Sequence, residues 1–149
     1  MDVAQSLKQS FLFKDVPDPV LQILARVAEQ VTFQAGATIA SEADKPDAIF
    51  VIRNGTVRAS SPGEKTPPVL FGTGQTIGAA SFVDGDRAGM DAVAVERVDM
   101  LVIRAHKLGA ALEADPRTGY HLYRAISKSL AGRLRRAVGM IAFSREKQD

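Results

Sequence analysis

The chain has 149 residues, 46% hydrophobic and 24% charged, with 19 Lys and Arg against 17 Asp and Glu for a formal net charge of +2. That length implies one domain able to bury about 68–70% of its unfolded surface without staples, and the lack of cysteine excludes disulfides, thiolate metal sites and cysteine nucleophiles. No segment approaches the ~20 apolar residues of a membrane span, and the opening MDVAQSLKQSF lacks the basic-then-apolar layout of a secretory signal, so a cytoplasmic location is expected.

Residues 1–30 read as N-terminal helices. Leu21, Leu24, Ala25 and Ala28 recur at helical spacing, and Pro17 and Pro19 punctuate the stretch. Asp18, just before Pro19, is expected to cap the helix that follows. Residues 31–103 then hold short extended pieces, VTF, ATIA, AIFVIRN, TVRAS, PVLF, AVAV and MLVI, with glycines between most of them. Strands this short with turns this frequent predict an antiparallel barrel or sandwich. RNGT at 53–56 carries the Asn-Gly pair of a two-residue hairpin.

Residues 105–143 return to helical patterning. AHKLGAALEADP predicts a short helix stopped before Pro116, and a long helix is expected from Arg117 to Phe143. Leu122, Ile126, Leu130, Leu134, Val138 and Ile141 mark one face of it. Gly132 and Gly139 weaken it by about 1 kcal/mol each relative to alanine, which a helix of this length tolerates. The expected fold class is α+β: an antiparallel β-barrel or jelly roll (double-stranded β-helix) with N-terminal helices and a long C-terminal helix, all in one domain.

The charge is uneven. Between 117 and 147 the basic residues are Arg117, Arg124, Lys128, Arg133, Arg135, Arg136, Arg145 and Lys147, and Glu146 is the only acid. The cluster Arg133, Arg135 and Arg136 reads as a solvated helix face or as a docking point for an acidic protein partner. The two histidines, His106 and His121, both follow the barrel. A metal-dependent barrel enzyme needs a His pair and a carboxylate on its strands, so neither catalytic residues nor a metal site are expected. GTGQTIG at 72–78 is glycine-rich but lacks the lysine of a phosphate-binding P-loop.

Two long stretches carry a family resemblance. LKQSFLFKDVPDPVLQILARVAEQVTFQAGATIASEADKPDAIFVIRNGTVRAS holds Phe13, Gly36, Ile39, Glu42, Asp47, the apolar run 49–52, Gly55 and Val57 in order. LFGTGQTIGAASFVDGDRAGMDAVAVERVDMLVI adds Gly74, Gly78, Ser81, Phe82, Ala94 and Ile103. Together they resemble the cyclic nucleotide-binding domains, the sensor domains of bacterial-type catabolite-activator regulators and of kinase regulatory subunits. The resemblance implies a phosphate-binding cassette at 76–92. In that family the cyclic phosphate sits at the N-terminus of a short helix, where free N–H groups favour an anion. An Arg adds a charge-assisted fork, and a Glu accepts from the ribose 2′-hydroxyl.

The cassette departs from the family at both charges. Gly78 is in place, but Ala79 stands at the Glu position and Ala88 at the Arg position, with Arg87 beside it. Losing both charged hydrogen bonds forfeits about 3–6 kcal/mol, roughly two to four decades of affinity, and Asp84, Asp86 and Asp91 add negative charge to the loop. The backbone of Gly78, Ala79, Ala80 and Ser81 still offers N–H groups, and Arg87 is the candidate replacement cation. The competing expectation is a filled pocket in which Ala79, Ala88 and Met90 pack.

The resemblance further implies a homodimer through the terminal helix, with Leu130, Leu134, Val138 and Ile141 in the seam. It implies no DNA-binding domain, since a helix-turn-helix would follow that helix and the sequence ends at Asp149. The expected function is a non-enzymatic regulatory sensor with weakened or lost cyclic AMP binding. It requires no cofactor, and a cyclic nucleotide or other nucleotide-like anion is its possible ligand. The alternative is a ligand-free interaction or dimerisation domain that uses only the fold.

Overall fold

The computed structural model describes residues 2–44, 47–63, 67–86 and 89–148, with side chains as far as 141. Two helices open the chain, α1 (Val3–Gln9) and α2 (Asp18–Val27). Five strands follow: β1 (Ala28–Phe33), β2 (Thr38–Ala40), β3 (Ala48–Asn54), β4 (Val57–Ser60) and β5 (Val69–Phe71). Then come β6 (Thr76–Ile77), the short helix α3 (Ala79–Asp84), β7 (Asp91–Ala94) and β8 (Val98–Arg104). Two helices close the chain, α4 (Ala105–Ala114) and α5 (Pro116–Gln148).

The strands form two four-stranded antiparallel sheets, ordered β1-β8-β3-β6 and β2-β7-β4-β5. They face each other as a jelly roll, and the helices cover the outer side of the first sheet. This layering explains the unbroken apolar run in β3. Successive strand side chains point to opposite faces, and β3 is buried on both. Ala48, Phe50 and Ile52 join the inter-sheet core with Val98, Met100 and Val102 of β8. Ile49 and Val51 face the helices and pack with Leu101, Ile103, Leu24 and Ile126.

Three local expectations are corrected by the tertiary structure. Ala28 belongs to β1, paired with Ile103, because strand pairing overrides the helical periodicity there. Asp18 does not cap α2. It lies within the first turn after Pro17, and its carboxylate meets Lys8 Nζ at 2.9 Å. The Asn-Gly pair is not a hairpin, since β3 and β4 lie in different sheets. The ladder of β3 shifts register between Ile52 and Asn54, a bulge that bends the strand, and the chain then turns the corner at Gly55 with φ +115°. A Cβ there would sit 2.7 Å from the Arg97 carbonyl oxygen, so glycine is required by close backbone approach.

The long helix runs past the expected Phe143 to Gln148. Leu122 and Ile126 are fully buried against the barrel and Leu130 packs at the edge of that core. Beyond it the stripe leaves the barrel, and Leu134, Val138 and Ile141 are 65%, 56% and 57% exposed.

Candidate functional site

The cassette is built from β6 onward. Thr76 and Ile77 pair with Val51 and Phe50 of β3, which fixes the chain against the core. Gly78 then turns it with φ +93°, a conformation that a side chain disfavours. Helix α3 follows with no side-chain cap at its start. Its turns are held by the Phe82 N–H donating to the Gly78 carbonyl at 3.0 Å and by the Gly85 N–H donating to the Ser81 carbonyl at 2.8 Å. Gly85, also at positive φ (+71°), ends the helix.

Gly78, Ala79, Ala80 and Ser81 all line one cavity of about 120 Å³ at this turn. The buried Thr76 and Ala59 and the partly buried Phe71 line it, together with the more exposed Met90. A space of that size admits a small group such as a phosphate. A fully enclosed nucleotide needs more, since ligand pockets run to about 300–1,000 Å³. Ala79 is buried and closes one side. Arg87 and Ala88 lie outside the described residues.

Asp84, Asp86 and Asp91 do not line the cavity. The Asp84 carboxylate accepts from the Asp86 N–H at 2.9 Å. The Asp91 carboxylate accepts from the Glu42 N–H at 2.8 Å, while the Gly89 N–H donates to the Glu42 carbonyl at 3.2 Å. Asp91 and Gly89 thus clasp the cassette exit to the turn after β2.

One lining residue was not anticipated as part of the site. Arg133 reaches the cavity from α5. Its neighbours in sequence do not: Arg136 lines a separate groove with Phe11 and Lys14, and Arg135 lines neither, although all three arginines are exposed. The signal was present in the spacing. Arg133 lies seven residues after Ile126 and eleven after Leu122, on the barrel-facing side of a 3.6-residue helix. A ring stack also joins α3 to α5, with Phe82 and Tyr123 centroids 5.9 Å apart.

The other charged groups are structural in placement. Glu29 on β1 meets Lys107 Nζ at 2.8 Å and Arg104 Nε at 3.7 Å, and Arg104 also reaches Asp47 at 3.6 Å. The hydrogen bond from Lys107 and its charge hold the Glu29 carboxyl below the ordinary value of 4.5, with Arg104 and His106 adding to the effect. His106 is exposed and His121 stands edge-on to Tyr120 at 5.0 Å. No group of three His, Cys, Asp or Glu side chains among the described residues is placed to hold a metal ion. A wider groove of about 530 Å³ lies beside α1. Its charged lining is self-paired, Arg53 donating to Gln30 at 2.8 Å and Arg97 facing Asp99 at 3.6 Å.

A jelly roll with a glycine-led short helix at a small pocket, flanked by a long terminal helix, is the architecture of a ligand-sensing regulatory domain. The chain belongs to the cyclic nucleotide-binding domain family, whose sequence model matches residues 30–115, more than half its length. Among solved structures the fold is similar to a cyclic nucleotide-binding domain from Methylobacillus flagellatus KT, with 20% identity and a TM-score of 0.78 over 94% of this chain and 80% of that one. It is also similar to the catabolite activator protein of Thermus thermophilus, with 22% identity and a TM-score of 0.73 over 91% of this chain and 63% of that one. The regulatory domain of Toxoplasma gondii PKA, crystallised with cAMP, is 16% identical with a TM-score of 0.65 over 73% of this chain and 42% of that one. The chain therefore spans less than two thirds of the catabolite activator and less than half of the kinase chain. No curated protein sequence matches it significantly. No helix among the described residues is long and apolar enough to cross a membrane.

Proposed function

We propose that this domain is a non-enzymatic cytoplasmic sensor whose ligand is a cyclic nucleotide or a related nucleotide-like anion. The phosphate sits at the turn formed by Gly78, Ala79, Ala80 and Ser81, and no catalytic group or cofactor takes part. The observation that carries the reading is that these four cassette residues line a single cavity in a chain of the cyclic nucleotide-binding family. Ala79 and Ala88 stand where the resemblance places a Glu and an Arg, so binding is weaker than the family's usual level. The loop's own candidate cation is Arg87.

Thermal melts with cyclic AMP, cyclic GMP and cyclic di-GMP test this reading. A ligand at ~100 times its Kd adds about 2.7 kcal/mol of stability. No shift with any of the three at ~millimolar concentration would refute the cyclic-nucleotide version of it.

The exposed stripe of α5 favours a second element of function. Leu134, Val138 and Ile141 leave the barrel on one helix face, and we place them with Leu130 in a homodimer seam. If no ligand binds, this seam alone supports the alternative, a ligand-free dimerisation or interaction domain. Arg135 and Arg136, with Arg133 beside them, offer positive charge to an acidic protein partner.

A further inference from the structure

We propose that Arg133 on α5 supplies the positive charge for the ligand's phosphate, replacing a cation that the cassette loop normally provides. This rests on the sensor reading above and names the residue that makes the site anion-selective. Three observations point to it. Among the described residues lining the cavity, Arg133 is the only charged one; the others are apolar, glycine or hydroxyl-bearing. The helical phase that buries Leu122 and Ile126 turns position 133 to the same side, and Arg133, though exposed, lines the cavity. No carboxylate among the described residues forms an ion pair with Arg133, and the loop acids Asp84 and Asp91 are engaged with backbone N–H groups elsewhere. Arg133 is thus, among the described residues, an unpaired cation lining a space that admits a phosphate, and a guanidinium gives a phosphate paired hydrogen bonds.

The source of the charge has a mechanical consequence. A cation on the barrel loop would hold the ligand within the barrel. A cation on α5 makes the ligand a bridge between barrel and terminal helix, one residue before the exposed Leu134. Ligand occupancy then biases the position of the stripe directly.

The test is calorimetric titration of the full chain with cyclic AMP, cyclic GMP and the uncharged methyl triester of cyclic AMP, for wild type, R133A, R133K and R87A. R133A is expected to weaken the charged ligands roughly 10- to 150-fold, the loss of a charged hydrogen bond. R133K should recover part of the loss, and R87A should change affinity less than R133A. Binding of the neutral triester should not respond to R133A, which separates a lost charge from a distorted pocket. An unchanged unliganded melting temperature confirms that R133A is folded. If wild type binds a cyclic nucleotide and R133A binds it equally well, Arg133 is wrongly assigned while the sensor reading stands. If wild type binds none of them, both fall together.

Discussion

Phe82 on α3 and Tyr123 on α5 stack with their ring planes 28° apart and their centroids 5.9 Å apart. The pair fastens the cassette helix to the terminal helix beside the barrel. A stacked aromatic pair is worth about 0.5–1.5 kcal/mol beyond its buried area. Tyr123→Ala should therefore cost at least that much stability. The Tyr123 hydroxyl has no hydrogen-bond partner among the described residues, so Tyr123→Phe should stay within about 0.5 kcal/mol of wild type. A double-mutant cycle with Phe82→Leu, read by urea unfolding, measures the coupling directly; a coupling of zero would refute the pair's role.

Gly55 and Gly36 separate two reasons for glycine. Gly36 has φ +84° and open space where a Cβ would go, whereas a Cβ on Gly55 meets the Arg97 carbonyl at 2.7 Å and Val98 Cα at 3.0 Å. Gly36→Ala should cost only the left-handed backbone penalty, about 1–2 kcal/mol. Gly55→Ala adds a clash with backbone that cannot rotate away, and should cost about 2–4 kcal/mol. Equal losses in denaturant melts would show that the corner relaxes freely.

Glu29 gives the fold a pH dependence of defined sign. Its folded-state pKa lies below its ordinary value of 4.5, first because Lys107 donates a hydrogen bond to it and then through that lysine's charge. A carboxyl with a depressed folded pKa contributes stability fully above its unfolded pKa and loses it as pH falls through the folded value. Comparing melts of wild type and Glu29→Gln from about pH 7 down to about pH 3, the advantage of wild type should be constant at neutral pH and shrink on acidification. An advantage that grew in acid would contradict the assignment.

Leu134 tests the seam. Wild type should sediment as a dimer at tens of micromolar. Leu134→Glu places a charge in an apolar interface on both protomers and should weaken association by roughly tenfold or more, leaving the monomer's melt nearly unchanged because Leu134 is outside the core. A wild-type monomer at that concentration would rule the dimer out.

The site was only partly legible in the sequence. The family resemblance, rather than the glycines themselves, singled out Gly78, which turns the chain at φ +93°. Local reasoning misread the Asn54-Gly55 pair as a hairpin, since a local motif fixes a turn but not which strands it joins. The negative charge that Asp91 adds to the loop lies outside the cavity lining in the fold, its carboxylate accepting from the Glu42 N–H. Arg133 was grouped with Arg135 and Arg136 by adjacency, although helical geometry sends the three in different directions.

By itself the sequence determined the order of N-terminal helices, short strands and a long C-terminal helix. These follow from periodicity and backbone preference, which act over a few residues. Only the tertiary structure decided that β3 and β4 part into separate sheets, that α5 leaves the barrel after Leu130, and that Arg133 meets the cavity. Those outcomes depend on how one element is rotated and seated against another, and that phase is set by packing across the core rather than by any neighbouring residue.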